Sequence, residues 1–411
     1  MRHALTRVAL VSCVLALAAA TGPAGAAGAD STLKPTSRQQ ANWTKFHFNL
    51  GNTGFNPFEN VINTSNVSSL VSAWQGVTGT SSTSSPAVVH GVVYVGMDDN
   101  KLYAFDAAGV TNCSGTPKTC KPLWTGATGF SIRSSPAVVR GVVYVGSSDG
   151  KLYAFDAAGV TNCSGTPKTC APLWTGATGS SIGFSSPAVA NGVVYIGADD
   201  GKLYAFDAAG NTNCSGTPKT CQPLWTGATG YFIESSPALA GGVVYIGSYD
   251  GKLYAFDAAG NTNCSGTPKT CQPLWTAPTG TTVYSPAVAQ GIVYAGAGHN
   301  LYAFDAAGNT NCSGTPKVCT PLWTGAPGFR CVCSVSVAGG LVYAGSARYT
   351  SGNLYAFDAS GVTNCSGTPK TCTPLWTGPT GRNYLNSAAA VVNGVVYVAS
   401  GYANLRVFAL P

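Results

Sequence analysis

Past residue 70 the apolar positions of the chain fall in short clusters, β-branched or aromatic, set between turn residues, and nearly all of them are copies of one unit. The copy at residues 135–179 reads SSPAVVRGVVYVGSSDGKLYAFDAAGVTNCSGTPKTCAPLWTGATG. Apolar runs this brief, broken by Gly, Pro and Asp, predict strands rather than helices, near 136–139, 142–146, 151–156 and 172–175. Arg140-Gly141 joins the first two, and Asp149-Gly150 favours the positive φ of a two-residue hairpin turn between the second and third. A four-stranded antiparallel sheet of this size cannot bury both faces alone. The units must therefore stack on one another, as the blades of a β-propeller do.

The tyrosine of each second strand measures the period. It stands at Tyr94, Tyr144, Tyr195, Tyr245, Tyr294, Tyr343 and Tyr397, in steps of 49 to 54 residues, so seven copies are present. The fourth-strand tryptophan recurs six times, at Trp124, Trp174, Trp225, Trp275, Trp323 and Trp376. The seventh is supplied by residues 70–79, LVSAWQGVTG, with Trp74. The expected fold is all-β: a seven-bladed β-propeller of four-stranded antiparallel blades over residues 70–411. The 70–79 strand completes the last blade after its strands near Ala388, Val395 and Leu405. Such closure removes the open edges that template aggregation.

The residues before the repeats differ in character. Arg2 and Arg7 precede an apolar run from Val8 to Ala20 and a small-residue tract ending Ala27-Gly28-Ala29, which reads as a secretory signal peptide over residues 1–29. A competing reading takes Leu10-Val11-Ser12-Cys13 as a lipoprotein box that would hold the protein in the cell envelope through Cys13. No later segment carries the roughly 18 unbroken apolar residues of a membrane span. The chain is thus expected to be secreted, or envelope-bound if lipidated. Residues 30–69 form a cap and connector. Within them NWTKFHFNLGNTGFNPF should lay Trp43, Phe46, Phe48 and Phe55 across a blade edge or an end of the ring.

Charge narrows the function classes. There are 22 Lys+Arg against 15 Asp+Glu, and only 9% of residues are charged, so no clustered basic stripe exists and nucleic acid is not an expected partner. Of 15 cysteines, twelve form six Cys-x6-Cys pairs: Cys113/Cys120, Cys163/Cys170, Cys214/Cys221, Cys264/Cys271, Cys312/Cys319 and Cys365/Cys372. In an exported protein this spacing reads as a local disulfide clipping a hairpin between the third and fourth strands. The converging Cys-x2-Cys pairs of a metal site are absent, so no metal is expected. The lysines of these loops, from Lys118 to Lys370, should ring one outer rim. Cys331 and Cys333 stand outside the pattern and are expected to bond to each other, with a redox role as the alternative.

The combination of SSPAV, GVVYVGS, DGKLYAFDA and a following Trp-Thr-Gly resembles the repeats of the pyrroloquinoline quinone (PQQ)-like β-propeller superfamily, and NWTKFHFNLGNTGFNP resembles the lead-in to them. The resemblance covers residues 42 to 410. It implies that each Trp docks between blades, since Ala154, Asp156, Gly159 and Trp174 match the family's docking pattern in outline; the usual Thr is missing and the cysteine loop is inserted. The superfamily includes quinoprotein alcohol dehydrogenases, an outer-membrane assembly lipoprotein and many exported proteins, so fold does not carry function here. The dehydrogenases resemble an eight-bladed ring with adjacent cysteines or a haem-attachment Cys-x-x-Cys-His, and neither occurs in this chain. No cofactor is expected; PQQ with calcium belongs to the enzyme alternative alone. Asp149, Asp199, Asp200 and Asp250 sit where hairpin turns want Asp for its backbone geometry.

Copies this alike locate a site by where they differ. They diverge in the connections at 130–133, 180–184, 231–234, 281–284, 329–333 and 382–386, and in the turns holding Asp98, Tyr249, His299, Arg348, Tyr349 and Tyr402. In a propeller both sets of loops emerge on one face, with the cysteine loops on the other. The candidate ligand-binding residues are therefore Phe130, Arg133, Tyr231, Glu234, Tyr284, Arg330, Arg382 and Tyr384; the plainer reading is that unconstrained loops drift. Past the signal peptide the histidines are His47, His90 and His299, read as solvated loop residues, and no catalytic Ser-His-Asp arrangement can be assembled from them. The function expected is a monomeric, non-catalytic binding module for a protein or glycan, with a PQQ-dependent oxidoreductase or an envelope assembly scaffold as alternatives.

Overall fold

The computed structural model describes residues 42–56, 72–116, 118–326, 332–346, 352–381, 389–392, 395–400 and 404–409. All regular structure among them is β. The second repeat shows why. Its strands are Ala137–Val139, Val142–Ser147, Lys151–Asp156 and Trp174–Ala177. They pair antiparallel in order, with Tyr144 opposite both Ala137 and Ala154, and Ala154 opposite Trp174. Gly150 supplies the positive φ, 78°, that its turn requires. Val143, Tyr144 and Val145 are all buried, so both faces of the sheet are covered by its neighbours.

The sheets are wider than four strands, and this corrects the expectation for the cysteine loops. In five of them the order runs on past the tryptophan strand to two further short strands taken from the next repeat. Cys214–Ser215 and Thr220–Cys221 belong to the third repeat by sequence. Thr220 and Cys221 nevertheless lie parallel to the second repeat's Thr175 and Gly176, and the Thr175 N–H donates to the Lys219 carbonyl at 3.0 Å. The physical reason is the fourth strand's outer edge, whose unpaired N–H and C=O groups need partners. The six expected disulfides are present, and each ties off a hairpin that seals such an edge or, for Cys113–Cys120, pairs with Gln75–Gly76. The hairpins are therefore structural straps on the sheet edges rather than free loops on one face. Lys269 and Lys317 turn back to donate to the Gly260 and Gly308 carbonyls.

The straps also carry half of each bridge into the core, where a clip on a surface loop would have left it exposed. The first cysteine of every pair is half-buried, but the second, Cys120, Cys170, Cys221, Cys271, Cys319 or Cys372, is buried. Cys170 stands opposite Gly126 of the preceding repeat and packs in one cluster with Trp124. In the same way Cys221 joins Trp174, Cys271 joins Trp225, Cys319 joins Trp275 and Cys372 joins Trp323. A strand added beside the tryptophan strand has one face against the seam, and a small apolar sulfur fills that place. These cysteines are packing residues as much as cross-links.

Seams between sheets repeat one contact set. Trp174 Nε1 and the Tyr144 hydroxyl both donate to the Ala208 carbonyl of the next repeat, at 3.3 and 2.9 Å. The indole lies over Gly210, where an added Cβ would meet Cδ1 at 2.2 Å, and tilts against Phe206. Trp124 on Gly159 and Trp275 on Gly308 copy this, as the family resemblance implied. Trp74 docks on Gly109 and the Ala107 carbonyl in the same way.

Residues 42–56 run along the first strands of the sheets. The main-chain carbonyls of Trp43, Thr44, Leu50, Gly51, Thr53 and Gly54 accept in turn from the amides of Val88, Val138, Leu239, Val288, Val337 and Val391. The aromatics expected to do the covering are half-buried, whereas Lys45, His47 and Asn52 are buried. The wall this segment meets is main chain, with carbonyls such as those of Ser236, Pro237 and Pro286 accepting from Asn52 Nδ2 at 3.1–3.3 Å, so polar side chains plug it best. His47 is accordingly no solvated loop histidine: burial and the neighbouring Lys45 lower it to about 3, and its Nδ1 lies 3.2 Å from the Asn52 carbonyl oxygen.

Candidate functional site

The loops that differ between copies are held by contacts that do not. The Phe130 carbonyl accepts from Thr128 Oγ1 at 2.7 Å and Ser147 Oγ at 2.9 Å, and the Tyr231 carbonyl accepts from Thr229 Oγ1 and Ser248 Oγ. Each loop is thus pinned through its backbone, and its side chains are free to vary. Phe130 and Tyr231 stand more than half exposed, Tyr231 stacked on Phe232 with ring centroids 4.2 Å apart.

Five of the eight candidate residues lie among the described residues, and three of them join one band. Arg133 faces Asp98, Nε to Oδ1 at 3.7 Å, while its guanidinium carbon lies 5.7 Å from the centre of the Phe184 ring, in range of a cation–π contact. One residue before Phe184, Gly183 leaves open space that an added Cβ would bring within 3.5 Å of Asp199 and 3.8 Å of Glu234. Glu234 accepts a hydrogen bond from the Tyr249 hydroxyl. Burial and the Glu234 charge push the Asp199 carboxyl above the usual range and raise the Tyr284 phenol as well. Arg330, Arg382 and Tyr384 lie outside the described residues, as do Cys331 and the side chain of Cys333.

Sequence reasoning missed two members, Asp199 and Phe184. Three of the turn aspartates behave as expected: Asp149, Asp200 and Asp250 accept from Tyr153, Tyr204 and Tyr254 of their own hairpins. Asp199, next to Asp200, instead faces the Glu234 loop of the following repeat. The available signal was the doubled Asp199-Asp200, where the neighbouring copies hold Ser148-Asp149 and Tyr249-Asp250. The band Asp98, Arg133, Phe184, Asp199, Glu234, Tyr249, Tyr284 combines carboxylates with aromatic rings, a surface able to hydrogen-bond and stack on a polar partner. Among the described residues no three His, Cys, Asp or Glu side chains are grouped to hold a metal ion.

A family model described as outer membrane protein assembly factor BamB matches residues 64–161 and 163–362. The chain belongs to this PQQ-repeat family. Solved structures with the same fold include BamB from Moraxella catarrhalis, at 17% identity and a TM-score of 0.53 over 78% of this chain and 80% of that one. A computationally designed protein, Ika8, matches at 15% identity and a TM-score of 0.58 over 80% and 83%. No curated protein matches. These likenesses make the chain a BamB-like β-propeller of PQQ-type repeats. The family's quinone does not fit the described part of the band: PQQ is a polycarboxylate, whereas this surface presents Asp98, Asp199 and Glu234, and Arg133 already faces one of them.

Proposed function

We propose that the protein is an exported, non-catalytic interaction module, a closed ring of seven blades that binds a protein or glycan on its variable face. The observation that carries this reading is the contrast within each repeat. Seam and strap contacts recur from the first repeats through the fifth, while the loops between them gather a charged and aromatic band without repeating it. Ring closure is supported by Trp74, which docks on the first repeat as Trp124, Trp174 and Trp275 dock on their successors, and by the 42–56 segment, which meets first strands from the first repeat to the seventh. Export is supported by six disulfides, which persist in oxidising compartments. The BamB likeness favours a protein partner at an envelope over a free-standing enzyme.

The test is site-specific photo-crosslinking in the producing cell. A photoreactive residue at Tyr284 should give a discrete adduct that Glu234→Lys abolishes, whereas the same residue at Lys219 on a strap gives none. Adducts from Lys219 alone, or from neither position across cell, envelope and medium, would overturn the reading.

A further inference from the structure

Six of the seven repeats offer their inward first-strand amide to a carbonyl of the 42–56 segment, and the third does not. Between Thr44, which serves Val138, and Leu50, which serves Leu239, the segment turns away through His47 and Phe48, both at positive φ. The amide skipped is that of Val189, which among the described residues receives no acceptor. A cavity of about 340 Å³ lies at this place, lined by Asn42, Thr44, Lys45, Phe48, Asn49, Leu50, Ala137, Val139 and Val189. Small-molecule sites run from about 300 to 1,000 Å³, mostly apolar with a few placed polar groups, and this one matches that description.

Lys45 gives the cavity its sign. The side chain is 4% exposed, and its ammonium donates to the Phe46 carbonyl at 2.9 Å, the Asn49 carbonyl at 3.2 Å and Asn52 Oδ1. Its hydrogen bonds are therefore made, but no carboxylate forms an ion pair with it among the described residues, and the one titratable neighbour, His47, is held neutral. Burial leaves Lys45 its proton only below about pH 7, and there a buried cation without a counter-charge favours any anion that can reach its surroundings. The same wall carries a free N–H donor and a run of apolar side chains.

We propose that this cavity binds a small alkanoate, whose carboxylate accepts the Val189 N–H in the field of Lys45 while its chain lies on Phe48, Leu50, Ala137 and Val139. The site is separate from the variable face and does not depend on what that face binds. Octanoate, 1-octanol and octylamine are the probes. Calorimetric titration of the purified chain near pH 6, where Lys45 is charged, should show saturable binding of octanoate at one site, at least tenfold weaker binding of the alcohol and none of the amine. Ala137→Leu, which fills the cavity, should remove the octanoate signal. If that variant misfolds, the Val189 amide resonance of the native chain decides, since octanoate should shift it and octanol should not. Equal binding of alcohol and acid, no heat at millimolar octanoate, or an unmoved Val189 resonance would each overturn the proposal.

Discussion

At the seam between the second and third sheets, Trp174 lies buried on Gly210 and Phe206 and shares one carbonyl acceptor with Tyr144. At the inner strands, Lys45, His47 and Asn52 are equally buried, yet they are held chiefly by hydrogen bonds that each occur once in the molecule. The two regions do the same mechanical work, joining one sheet to the next. They differ because of what each surface offers. Strand faces offer rings and β-branched side chains, which are matched by an aromatic, whereas first strands turned inward offer amides and carbonyls, which are matched by hydrogen-bonding groups. A motif that pairs like surfaces can be copied from sheet to sheet. A plug that threads past successive copies can repeat its main-chain bonds, but its side chains meet a different neighbour at each step.

The largest effect should come from adding side-chain carbons to a seam. Gly210 combines a φ of 65° with a Cβ position 2.2 Å from the indole, so Gly210→Val strains the backbone and expels Trp174 together. The two costs together are roughly 3–5 kcal/mol, by analogy with left-handed strain and loss of a buried aromatic. Gly241 is the control: its φ is 57° but nothing lies within 4 Å of an added Cβ. Gly241→Ala should cost about 1–2 kcal/mol, the strain alone. Chemical denaturation of both variants measures the difference, and equal losses would show that the seam glycine is chosen for conformation and not for the ring above it.

The sixth sheet sharpens the comparison from within the repeats. Trp225 is 2% exposed, whereas Trp376 is 38% exposed. Its strand, Trp376–Gly381, ends a sheet of four strands and carries no strap among the described residues. The indole leans instead on Gly378 of its own strand and meets Phe408 edge-on at 4.9 Å. Trp225 is covered by Gly260 in the next repeat's turn and by the hairpin that holds Cys271, and among the described residues Trp376 has neither against it. Trp225→Ala should cost roughly 3–5 kcal/mol and Trp376→Ala less than about 1.5. Similar losses at both sites would mean that Trp376 is covered by groups beyond those described.

Much of this was legible in the chain because it was written several times. Strand limits, turn glycines, seam tryptophans and the six disulfides each follow from residue types at a fixed period, so an error in one copy is corrected by the others. Where the straps attach was not legible: Thr220 and Cys221 pair with the repeat before them, and that partner is chosen by an open strand edge, a property of the assembled sheet. The burial of the second cysteine in each bridge follows from that attachment and was hidden with it. In the candidate site, Arg133, Glu234 and Tyr284 stood out because they break the repeat. Asp199 did not, because a turn aspartate and a facing carboxylate look alike until the neighbouring loop is placed. The plug was the least legible of all. An aromatic-rich segment predicts an apolar cap, and the polar character of the wall it meets exists only once the first strands of the repeats are gathered.

The smallest predicted effect distinguishes the two regions by pH. Burial lowers Lys45 from 10.5 to about 7, so between those values the unfolded chain holds a proton that the folded chain has released. Stability must then rise with pH across that window. His47, lowered from 6.5 to about 3, makes its contribution in the lower window between those two values and is finished by pH 7. Buried seam tyrosines act in the opposite sense from the alkaline side: Tyr94 and Tyr195 are raised from 10.0 to about 12, so their contribution is lost once unfolded tyrosine ionises near 10. Among these groups the plug therefore governs the interval from pH 7 to 9. Unfolding free energy should climb there by roughly 1–2 kcal/mol, against a ceiling of about 1.4 kcal/mol per pH unit for one group. Lys45→Met should flatten the climb while leaving the decline above pH 10 in place. A slope that survives this substitution would move the titrating group out of the plug, and with it the claim that a lone buried lysine sets this region apart from the seams.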